Sequence, residues 1–149
     1  MADLMFVLML WISQVSGIPM PQTVPDIKYL ESNQLYERHF GVKPPPETTT
    51  TVRAIYDRQT KTIYMTKGWA PDNHNNVGTL VHELVHFMQF ESTPYDSPGF
   101  RQRYPCLQAV EKEAYEVQEK WFKSMKLDMY EVSALNVLFI LMISQCSPY

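Results

Sequence analysis

At 149 residues, with 45% hydrophobic, 13% aromatic and 19% charged residues, the chain is one folded domain with room for a real core. A net charge of −3 gives no reason to expect nucleic acid or an anionic membrane as a partner. No basic run, Gly-rich phosphate loop or internal repeat is present.

The chain opens on an apolar run, Leu4 to Ile12, followed by Ser13-Gln14-Val15-Ser16-Gly17. This matches the apolar segment and small-residue cleavage region of a signal peptide over residues 1–17, and predicts export to a periplasm or to the outside. Asp3 and the lack of a preceding Lys or Arg depart from that pattern. A buried N-terminal helix in a cytoplasmic protein is the alternative. The run is too short to span a bilayer as a helix.

Residues 18–149 then read as a single domain. Pro19, Pro21 and Pro25 mark an extended lead-in, and Asp26 to Leu30 suits a short strand. Ser32 suits the N-cap of a helix running to Phe40-Gly41, and Pro44-Pro45-Pro46 stiffens the connection after it. Val52 to Tyr56 and Thr62 to Thr66 form a predicted hairpin around Asp57-Arg58-Gln59-Thr60. The second of these strands is a candidate edge for pairing with an extended peptide.

The next segment carries the chemistry. His82-Glu83-Leu84-Val85-His86 spells H-E-x-x-H, a pattern expected by accident on the order of once in two hundred such chains. The predicted helix starts near Asn75 or Asn76 and ends by Ser92, before Pro94. At about 100° per residue, Val77, Leu80, Val81, Leu84, Val85 and Met88 share one arc, while His82, His86 and Gln89 lie opposite. Two imidazoles one turn apart can grip one Zn²⁺ with little distortion. Glu83 lies a quarter-turn beyond them, placed to act as a base without binding the metal. Gln89 is a candidate partner of a ligand.

A Pro-, Ser- and Gly-rich loop, Ser92 to Pro105, leads to a predicted helix over Leu107–Met125 with Leu107, Val110, Ala114, Val117 and Trp121 on its apolar side. A last helix is expected from Asp128 to Ser144. Cys106 and Cys146 are an even pair; bridged, they pin the last helix across the preceding one, and in a cytosolic chain they are buried thiols. The whole is an α+β fold: a small antiparallel or mixed sheet with a hairpin, against the H-E-x-x-H helix, a glutamate-bearing helix and a C-terminal helix.

A catalytic zinc needs a third protein ligand. Glu116 and Glu119 point away from the apolar face of the later helix, whereas Glu111 and Glu113 sit on its two borders. Periodicity does not choose between those two. His82-Glu83-Leu84-Val85-His86, followed by Glu111-Lys112-Glu113-Ala114-Tyr115, resembles the gluzincin zinc metallopeptidases, most closely compact minigluzincins. It is also similar to a bacterial family of unknown function with HELVH and a later E-A-Y-x-x-Q, here Glu113 to Gln118. The resemblance covers roughly residues 50 to 125. It implies a zincin-like fold, one Zn²⁺ held by His82, His86 and Glu113, Glu83 as general base, and peptide hydrolysis. The expected substrate is a peptide or flexible protein segment. The metzincin continuation with a third His is missing, and nothing in the chain identifies the group that stabilises the oxyanion. The rival function is a zinc-binding interaction module without turnover.

Overall fold

The computed structural model describes residues 1–147. Three strands, β1 (Asp26–Leu30), β2 (Ala54–Asp57) and β3 (Thr62–Thr66), form a mixed sheet of order β1-β3-β2. β1 runs parallel to β3, with Ile27 opposite Ile63, and β2 runs antiparallel to it, with Tyr56 opposite Ile63. The fold is α+β, with a small three-stranded mixed sheet. β3 is the central strand, which corrects its expected role as a free edge; β2 is the edge nearer the motif helix. The hairpin closes through Asp57, whose Oδ1 accepts from the Gln59 and Thr60 N–H groups, and through Lys61 at φ 52°.

The apolar run at the start forms α1 (Ala2–Ser16), which ends on Gly17 in the left-handed conformation. Met5, Leu8, Met9 and Ile12 are buried in the main core beside Leu80, Leu84 and Met88. α2 (Ser32–Phe40) begins one residue earlier than the Ser32 cap predicts: Glu31 is the N-cap, in a capping box with Gln34.

The motif helix, α3 (His74–Ser92), is capped by Asn73, whose side chain accepts from the Asn76 N–H at 3.1 Å. The cap falls two or three residues upstream of the predicted one. α3 has three packed faces. Its apolar arc points into the core, Glu83, Phe87 and Phe90 face Tyr56 of β2, and Gly78, His82, His86 and Gln89 face α5 (Leu107–Ser124). The polar side of α3 is buried because α5 covers it.

The two helices are antiparallel. Gly78 meets Phe122, His82 meets Gln118, and Gln89 meets Val110, so one number rises as the other falls. Val110, Ala114, Val117 and Trp121 of α5 are buried as the periodicity predicts, but Leu107 is 60% exposed. A short helix not expected from the sequence, α4 (Pro98–Arg103), occupies the loop and packs Phe100 beside Tyr104 and Val110. The last predicted helix is two: α6 (Met129–Val132) and α7 (Val137–Ile143), separated near Ala134 at φ 52°. Only Ile140 of α7 is buried. Cys106 and Cys146 are bridged, tying the end of α7 to the start of α5. Among the described residues no helix is long and apolar enough to cross a membrane.

Gly78 sets how closely α3 and α5 approach. A Cβ there overlaps the ring of fully buried Phe122, lying 2.6 Å from its Cζ. Gly78→Ala is expected to destabilise the fold by about 1–3 kcal/mol in equilibrium denaturation, despite alanine's better helix propensity. A neutral or stabilising result contradicts this close contact.

Candidate metal centre

Three donors converge between α3 and α5. His82 Nε2 lies 3.1 Å from His86 Nε2, and the two lie 3.3 Å from Glu111 Oε2 and Oε1 respectively. The His82 and His86 side chains are each 10% exposed, while Glu111 is 40% exposed, so the group opens to solvent on the carboxylate side. Among the described residues this is the one cluster of three such side chains whose donor atoms lie within 4.8 Å of one another.

The predicted site residues are thus brought together in part. His82 and His86 point at one another and Glu83 lies beside them, but Glu113 is not the carboxylate they meet. Residues two apart on a helix are rotated by about 200°, so Glu111 and Glu113 occupy opposite borders of α5. Glu111 faces the histidines. Glu113 faces α4, accepting from Arg103 Nη2 at 3.0 Å, from the Tyr104 hydroxyl and from Gln89 Nε2. The carboxylate beside the two imidazoles is therefore Glu111, and not the Glu113 that the resemblance implies.

Each histidine is oriented from behind. His82 Nδ1 is 3.1 Å from Gln118 Oε1, and His86 Nδ1 is 2.9 Å from Gln89 Oε1. The Gln89 amide has a defined sense: its Nε2 donates to the Val110 carbonyl and to Glu113, which leaves the oxygen for His86. An amide oxygen only accepts, so both Nδ1 atoms carry the proton and both Nε2 atoms present lone pairs to the space before Glu111. Lone pairs 3.1 Å apart need a positive charge between them.

Two charges suit that space, a proton or a metal ion. For the proton, burial alone disfavours a charged His86, but hydrogen bonding to Glu111, its charge and that of Glu83 outweigh it, and the pKa rises from 6.5 to about 9. Burial likewise opposes a charged Glu111, yet the two imidazoles hold its carboxyl far below the usual range. For the metal, tetrahedral zinc with bonds of about 2.0–2.1 Å requires its donors about 3.3–3.4 Å apart. The observed separations of 3.1, 3.3 and 3.3 Å fit.

Glu83 is buried, with one oxygen accepting from the Tyr56 N–H at 2.8 Å. The edge strand β2 thereby holds the carboxylate beside the histidines. Tyr115 packs its ring against His82, centroid to centroid 4.4 Å, and burial, then the Glu111 and Glu83 charges, push its phenol up to about 12. The readable signal for this second helix was the polar stripe Glu111, Tyr115, Gln118, spaced i, i+4, i+7 on one face.

Zinc content separates the two glutamates. Glu111→Gln is expected to lower zinc retained after dialysis by about 10-fold or more, and Glu113→Gln much less, since Glu113 acts only by orienting Gln89; the reverse order overturns the assignment. The metal-free protein has its own pH signature. A raised His86 pKa contributes stability that is complete below 6.5 and disappears as pH rises through about 9. The melting temperature of metal-free protein is therefore expected to fall across that window more than that of Glu111→Gln. Parallel profiles contradict the His86–Glu111 pairing.

No curated protein and no solved structure matches the chain. A family model covers it from end to end, residues 1–149, under the description domain of unknown function. The chain belongs to that family, DUF6647.

Proposed function

We propose that this protein is a zinc-dependent peptidase with a zincin-like, gluzincin-type site, in which His82, His86 and Glu111 hold one metal ion and Glu83 moves the proton. The single observation that carries this reading is the donor triangle of 3.1, 3.3 and 3.3 Å with a buried carboxylate beside it. When bound, zinc supplies a water with a pKa near 7 and polarises the scissile carbonyl.

The remaining steps belong to the protein. Glu83, fixed through one oxygen by the Tyr56 N–H, takes a proton from the attacking water with the other and delivers it to the leaving amine. Gln118 and Gln89 keep both imidazoles in the tautomer that offers Nε2. Tyr115, a neutral phenol against His82, is the donor we assign to the developing oxyanion.

A structural zinc site is closed by four protein ligands. Among the described residues three donors gather here, and the exposed side of Glu111 suits an accessible fourth position. These features favour turnover over a zinc-binding interaction module. A peptide or flexible segment suits the open cleft. The Cys106–Cys146 bridge supports work in an oxidising compartment, periplasmic or extracellular.

Glu83→Gln is expected to retain zinc at the wild-type level while peptide cleavage falls by about 10²–10⁴-fold. Metal analysis and turnover measured on one preparation check this. Unchanged cleavage by Glu83→Gln removes the proposed mechanism.

A further inference from the structure

A cleft of about 400 Å³ opens directly beside His86 and Glu111. That is the size of pockets that enclose small ligands. Its walls are largely apolar, built by Tyr56, Phe90, Leu107, Val110 and Ile143, with Gln108 among them. Two of these stand where the disulfide places them, since Leu107 follows Cys106 and Ile143 lies three residues before Cys146. Leu107 keeps 60% of its surface exposed beside the cleft, so its side chain is open to a ligand there.

One arginine lines the cleft, Arg58. Its guanidinium lies 3.7 Å from the Tyr95 ring centroid and 5.2 Å from that of Phe90. Stacking of this kind fixes the guanidinium plane and leaves its N–H edges free to donate. Arg38, Arg101 and Arg103 each contact a carboxylate, whereas Arg58 has no such partner among the described residues. A stacked guanidinium lining a largely apolar cleft, with no carboxylate partner among the described residues, matches a ligand with an apolar body and a carboxylate.

We propose that this cleft binds the C-terminal residue of the substrate peptide, its large apolar side chain against Phe90, Leu107, Val110 and Ile143 and its terminal carboxylate on Arg58. The site then acts as a carboxypeptidase: water adds to the last peptide carbonyl, the C–N bond breaks, and the departing amine takes the proton from Glu83. The products are a shortened peptide and a free apolar amino acid. The cleavage part rests on the peptidase reading above, and the binding part stands without it.

Binding is tested on metal-free protein with N-acetyl-L-phenylalanine and its amide, followed by NMR titration. The acid is expected to bind about tenfold or more tightly than the amide, and Arg58→Gln to abolish that difference while leaving amide binding unchanged. Equal affinities, no binding of the acid, or a preference that survives in Arg58→Gln overturns the proposal. Cleavage is tested on zinc-loaded protein with peptides ending in phenylalanine as free acid or amide. Release of phenylalanine from the acid alone, with KM raised in Arg58→Gln, supports the full proposal. Internal cleavage of both forms at equal rates overturns it and leaves the peptidase reading standing. An Arg58-dependent preference in binding with no cleavage of any peptide supports the pocket and defeats the peptidase reading.

Discussion

The antiparallel contact between α3 and α5 is the constraint on which the rest depends. Gly78 against the Phe122 ring brings the two backbones close at one end, and Gln89 against the Val110 carbonyl ties them at the other. Between those points His82, His86 and Glu111 are brought face to face. The same contact buries the polar face of α3, and buried imidazoles must find partners. Gln118, Gln89 and Glu111 are those partners. Packing and site chemistry thus share one cause: a helix carrying a ligand pair is covered by a helix carrying the complementary groups.

The groups behind the donors form a chain with one direction. Arg103 and Tyr104 hold Glu113, Glu113 and the Val110 carbonyl orient the Gln89 amide, and Gln89 fixes the His86 proton on Nδ1. An amide free to flip would present its N–H₂ to His86 and turn the lone pair inward, away from the space before Glu111. Glu113, although not part of the triangle, therefore decides which nitrogen faces it. Charge arrangement follows the same order: Glu113 is paired with Arg103, while Glu111, among the described residues, faces the two imidazoles.

Much of this was legible in the chain. The β-branched content of Thr62 to Thr66 marked a strand, and the 3.6-residue period of Val77 to Met88 marked the motif helix and its inward face, because both signals belong to one element. The choice between Glu111 and Glu113 was not, since both lie on borders of the apolar arc and only the position of α4 beside one border separates them. The edge role given to Thr62–Thr66 failed for a similar reason: a strand's period says nothing about its neighbours, and the parallel pairing of Asp26–Leu30 made it central. The break at Ala134 and the helix Pro98–Arg103 are local backbone events that propensity reads poorly. The family match, spanning the whole chain, names no activity, so the functional reading rests on side-chain geometry.

The most direct measurement is an anomalous-scattering crystal structure of the zinc-loaded protein. The account predicts one peak about 2.0–2.1 Å from His82 Nε2 and His86 Nε2 and about 2.0–2.2 Å from a Glu111 oxygen, with a fourth position not filled by the protein. A peak ligated by Glu113, a site closed by a fourth side chain, or no zinc between α3 and α5 contradicts it.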